Sequence, residues 1–110
     1  MSNIKYVGHY NIECLGSDYY DNGLNYTAFT FTRFNDNNKE MYNKTVYVYS
    51  PISYATRGFM NLFQDEETVK AFLKGVKNYE RLEYDYKTRR ITLFDMFHNY
   101  KLNDYRNIAY

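Results

Sequence analysis

The chain has 110 residues, with 14 Lys and Arg against 13 Asp and Glu for a net charge of +1. That balance excludes both the basic excess of a nonspecific nucleic-acid coat and the acidic excess of a protein that imitates phosphates. A single cysteine excludes an internal disulfide, and fifteen Tyr and eight Phe with no Trp mean that aromatic rings must fill much of the core.

The first predicted element is a half-buried strand over residues 4–14. Ile4, Tyr6, Tyr10, Ile12 and Cys14 alternate with Lys5, His9, Asn11 and Glu13, which puts the first set on one apolar face. Residues 16–25 interrupt the alternation with Gly, Ser, Asp and Asn and read as a connecting loop of about ten residues, longer than a usual hairpin turn. The stretch LGSDYYDNGLNY around it uses the residue set of antibody loops. A second strand follows over residues 26–34, a turn at Asn35, Asp36, Asn37 and Asn38, and a third strand over residues 42–49. Pro51 ends that strand for want of an amide proton.

Residues 50–58 read as a loop, leading into a short helical turn that carries Phe59, Leu62 and Phe63. Asp65 is a suitable N-cap, and Glu66 and Glu67 place negative charge in the first turn of a helix. Val69, Phe72, Leu73 and Val76 give that helix one apolar stripe, and Asn78 ends it. Leu82, Tyr84 and Tyr86 then alternate with charged residues as a strand, residues 87–90 turn, and residues 91–96 return as its partner. Beyond Phe97 the pattern fits a helix through Phe94, Phe97 and Lys101 and a strand through Tyr100 and Leu102. Residues 103–110 read as a tail. The expected fold is α+β in one domain, 1–110: an antiparallel meander, one amphipathic helix on its apolar face and a C-terminal hairpin in the same sheet or beside it.

Chemistry-bearing residues are sparse. Cys14 falls on the apolar face and His9 on the opposite one, so a core thiol is favoured over a nucleophile. Asp18 and Asp21 lack the spacing of a calcium loop, Asp65, Glu66 and Glu67 are explained by capping, and the five glycines are too scattered for a phosphate loop. No catalytic residue, metal or cofactor is expected. Lys87, Arg89 and Arg90 beside Tyr84 and Tyr86 suit either a nucleic-acid contact or an ordinary turn neutralised by Glu80, Glu83 and Asp85. Tyr and Arg also anchor protein interfaces. Partner binding is therefore expected at Tyr19, Tyr20, Asp21, Tyr54, Arg89 and Arg90, with Tyr47 and Tyr49 adding to the aromatic surplus.

The wealth of Phe, Tyr, Asn, Lys and Ile and the shortage of Ala and Pro are those of an AT-rich genome. In size, composition and order of strands and helix, the chain resembles the small accessory proteins of phages and mobile elements, among them the anti-CRISPR proteins. The resemblance rests on no diagnostic motif and carries over no family residue. It implies a stoichiometric inhibitor of a host defence protein such as a CRISPR effector, acting without DNA mimicry in view of the neutral charge. The alternative is a small nucleic-acid-binding regulator that uses the basic turn, and a homodimer is compatible with either. With no signal peptide, lipidation signal or apolar run near ~18 residues, the expected location is the bacterial cytoplasm.

Overall fold

A computed structural model describes residues 3–21, 23–50, 52–95 and 100–104. The fold is α+β. Among the described residues, seven strands form one sheet in sequential order: β1 (Asn3–Val7), β2 (Tyr10–Asp21), β3 (Leu24–Phe34), β4 (Glu40–Tyr49), β5 (Glu80–Asp85), β6 (Arg90–Asp95) and β7 (Tyr100–Asp104). All neighbours are antiparallel except β4 and β5, which are parallel. A parallel pair needs a long crossover. Here that crossover holds a 3-10 helix (Ser53–Leu62) and an α-helix, α1 (Glu66–Gly75).

The crossover covers one face of the sheet. From the sheet come Ile12, Cys14, Phe29, Phe31, Val46, Val48, Leu82 and Ile91, and from the helices Phe59, Phe63, Val69, Phe72 and Leu73, all buried. Phe31 sits at the centre, its ring 5.3 Å from those of both Phe63 and Phe72. Tilted and edge-on ring pairs fill the space that the few aliphatic residues leave open. Asp65 caps α1 as expected, its carboxylate accepting from the Thr68 amide at 2.8 Å. That bond holds the carboxyl below its ordinary range. At the other end of α1 the Lys44 ammonium donates to the carbonyls of Leu73 at 2.8 Å and Val76 at 3.0 Å. A cation thus satisfies carbonyls that a helix leaves open at its negative end.

Four expectations change. The strand expected over residues 4–14 is a hairpin, with Val7 paired to Tyr10 and Gly8 at positive φ in the first position of a two-residue turn. The turn reverses the facing of the segment before it. Ile4 and Tyr6 are exposed on the outer face, while Lys5 and Val7 point inward and the Lys5 ammonium donates to the Met60 carbonyl. Second, most of residues 16–25 is strand and not loop: β2 continues to Asp21, and two irregularities in register around Gly16 absorb the missing alternation. Third, residues 53–58 belong to the 3-10 helix, which carries the buried Phe59, Met60 and Leu62 in its second half. Fourth, residues 100–104 are a strand, the second of the two patterns that fit there, and it takes in residues 103 and 104 of the expected tail. Pro51, Phe97 and the tail beyond residue 104 lie outside the described residues.

The β5–β6 hairpin joins the main sheet by the parallel pairing of Val48 with Leu82. Among the described residues, no helix is long and apolar enough to cross a membrane.

Candidate functional site

The direction of each strand decides which turns are neighbours. β2 runs to Asp21, opposite Leu24, so the β2–β3 turn lies at one end of the sheet. β4 runs toward the same end, with Thr27 opposite Val48, and the crossover leaves from there. β5 is parallel to β4, so the β5–β6 turn at residues 86–89 lies at that end as well. Tyr19, Tyr20 and Asp21 occupy the last positions of β2, Tyr54 the start of the 3-10 helix, and Arg89 and Arg90 the β5–β6 turn and the first residue of β6. The topology brings all six expected partner-binding positions to one end of the sheet.

The β5–β6 turn is ordered by Asp85, whose carboxylate accepts from the amides of Lys87 at 3.0 Å and Thr88 at 3.4 Å. Arg89 takes a positive φ of 58° and is exposed, as is Lys87, while Arg90 pairs in register with Asp85. A pocket of about 240 Å³ lies between Ile52 and the turn residues Tyr86 and Lys87, with Glu83 and Asp85 of β5 in its wall. The chain leaving β4 and the basic turn therefore border one depression.

The outer sheet face holds a cluster that residue pattern alone did not single out. Tyr79, at positive φ, stacks its ring on Tyr47 with centroids 6.3 Å apart, and the Arg81 guanidinium lies over the same Tyr47 ring at 5.1 Å. Arg81 also donates to the Tyr79 carbonyl at 3.0 Å. Tyr49, two residues on from Tyr47, meets the buried ring of Tyr26 at 6.0 Å. Together these aromatics run along the outer face toward the end that carries the six positions. The available signal was the alternation of β4, which puts Tyr47 and Tyr49 on one face, but Arg81 joins them only through the parallel register.

The opposite end of the sheet carries a polar staple. His9 lies between two carboxylates, Nδ1 3.0 Å from Glu66 and Nε2 2.8 Å from Asp36. Both ring nitrogens can donate only in the imidazolium form. The Glu66 contact, then the Asp36 contact, raises the His9 pKa above its ordinary value, and His9 in turn lowers that of Glu66. Cys14 is buried in the core, as expected. Among the described residues, no group of three or more His, Cys, Asp or Glu side chains is placed to hold a metal ion. Comparison with protein-family models, curated proteins and solved structures finds no match to this chain.

Proposed function

We propose that this protein acts by stoichiometric binding of another protein through the sheet end formed by the β2–β3 turn, the start of the crossover and the β5–β6 turn. The partner is a host defence protein of the CRISPR-effector kind, inhibited by covering a functional surface or by locking one conformation. The observation that carries the reading is the meeting, at one end of a single sheet, of Tyr19, Tyr20, Asp21, Tyr54, Arg89 and Arg90, most of them residue types that anchor protein interfaces. Tyr and Arg supply large contact area for little lost side-chain freedom and dominate interface energetics. A rigid sheet that presents several turns on one side is the arrangement by which scaffolds carry binding loops. The near-zero net charge supports contact through rings and hydrogen bonds over imitation of a nucleic acid.

The test is a pull-down of the tagged chain from nuclease-treated bacterial lysate expressing CRISPR effectors, followed by an affinity measurement on the captured protein. A Tyr19→Ala/Tyr20→Ala variant should weaken that affinity by about 2 kcal/mol or more with its fold intact. Unchanged affinity would remove the tyrosine pair from the interface. The exposed Lys87 and Arg89 favour a second reading, a regulator that grips a nucleic-acid backbone with the β5–β6 turn. Capture that disappears on nuclease treatment, with affinity falling steeply as salt rises, selects it.

A further inference from the structure

Far from that sheet end, a cleft of about 520 Å³ opens between the last turns of α1 and the neighbouring edge of β4. The volume lies in the range of small-molecule sites. Its walls combine two properties. Tyr10, Tyr42 and Leu73 give it an aromatic and aliphatic floor, Tyr10 being almost wholly buried and Tyr42 41% exposed. Lys44, Lys70 and Lys74 give it three ammonium groups, and none of the lining side chains is acidic. A fourth cation stands close by, the Arg33 guanidinium 6.0 Å over the Tyr10 ring.

The electrostatics of the cleft are settled by Lys44. A helix C-terminus is the negative end of its dipole and would repel an anion. Lys44 covers that end by donating to the carbonyls of Leu73 and Val76. Lys70 and Lys74 stand one helical turn apart on the same flank of α1, and both line the cleft. Two carboxylates stand near the lining: Glu40 accepts from the Asn43 side-chain amide at 2.9 Å, and Glu67 lies 3.6 Å from the Lys70 ammonium with a side chain 86% exposed, a pair so open to water that it holds Lys70 weakly. Burial, then a hydrogen bond with Tyr10, raises the Tyr42 pKa, so its hydroxyl stays protonated near neutral pH.

We propose that this cleft binds a small organic phosphate, the phosphate held by Lys70 and Lys74 with Lys44 behind them and an apolar body lying on Tyr10, Tyr42 and Leu73. A doubly charged head matches several point cations better than a single carboxylate does. The site is independent of the partner-binding sheet end and stands or falls apart from it.

The test titrates the full chain at low salt with phenyl phosphate, inorganic phosphate and phenol, followed by calorimetry and by amide NMR shifts. Phenyl phosphate should saturate and move the amides of Leu73, Lys74 and Asn78, inorganic phosphate should bind about tenfold more weakly, and phenol should show no saturable binding. A Lys70→Gln/Lys74→Gln variant should lose about tenfold in phenyl phosphate affinity with an unchanged unfolding midpoint, because both side chains project from an exposed helix flank. Glu67→Gln should instead tighten binding by releasing Lys70. Failure of phenyl phosphate to saturate by ~10 mM, equal binding of phenol, or full affinity in the double lysine variant would each overturn the site. Inorganic phosphate binding as tightly as phenyl phosphate would overturn the role of the apolar floor.

Discussion

A proton on His9 ties three chain segments at once: the β1–β2 turn, the β3–β4 turn through Asp36 and the first turn of α1 through Glu66. The raised His9 pKa makes this contribution full below the ordinary histidine value of about 6.5 and lost as pH rises through the higher folded value. The lowered Glu66 pKa works in the other direction. Its share is present above the ordinary carboxylate value near ~4.3 and lost as pH falls through the depressed one. The staple is therefore complete in mildly acidic solution, and the urea midpoint should be higher near about pH 5.5 than near about pH 8. His9→Gln should shrink that difference, and an undiminished difference in the variant would place the pH sensitivity elsewhere. Gly8 belongs to the same device. Its φ is +57°, and a β-carbon there would collide with the Glu66 carboxylate. Gly8→Ala should cost about 1 to 3 kcal/mol in denaturant unfolding, part of it by pushing Glu66 off His9. His9→Gln combined with Gly8→Ala should then lose less than the sum of the single changes.

Helix α1 shows which elements the sequence makes legible and why. Its cap, its acidic first turn and its apolar stripe all lie within about a dozen consecutive residues, so local pattern suffices to find it. Asp65→Ala should lower the urea midpoint through the lost Thr68 contacts, and an unchanged midpoint would show that the cap adds nothing to stability. Phe72→Ala should cost about 3 to 5 kcal/mol, since its ring is fully buried against Phe31, Phe59 and Phe63. The cap at the other end was not legible. Lys44 lies 29 and 32 residues before the carbonyls it reaches, and only the folded sheet brings them together. Thermal melts of Lys44→Met should show a loss of about 1 to 3 kcal/mol from two unpaired carbonyls. The first hairpin escaped notice for another reason. Alternation continues through Gly8 with the same parity, so a bent segment resembles a single strand although Ile4 and Tyr6 end up on the opposite face from Ile12. In residues 16–25 the Asn-Gly pair at 22 and 23 was the available hairpin signal, masked by the broken alternation around Gly16.

At the scale of the molecule, the parallel pairing of β4 with β5 does most to shape the surface. Had β5 run the other way, Arg89 and Arg90 would lie at the His9 end, a sheet length from Tyr19 and Tyr20. Residue types pointed to the six positions, but their meeting depends on a crossover whose direction no local pattern states. The Tyr79, Tyr47 and Arg81 cluster was hidden for the same reason, because Tyr47 and Arg81 are neighbours only across that pair. The open sheet has one more consequence, at its borders. Among the described residues, β1 and β7 are the two outermost strands, and strands at such borders invite pairing with another molecule. Joining the first strand of one copy to the last of the next would repeat without closing and grow into a fibre. Lys5 sits on β1 with its ammonium turned inward to the Met60 carbonyl. A second sheet laid against β1 would have to continue the apolar layer past that charge, and an inward charge on a border strand disfavours such pairing. In Lys5→Val, dye-binding fibres should appear after a shorter lag than in the parent chain, and an equal lag would move the guard to another residue of the border.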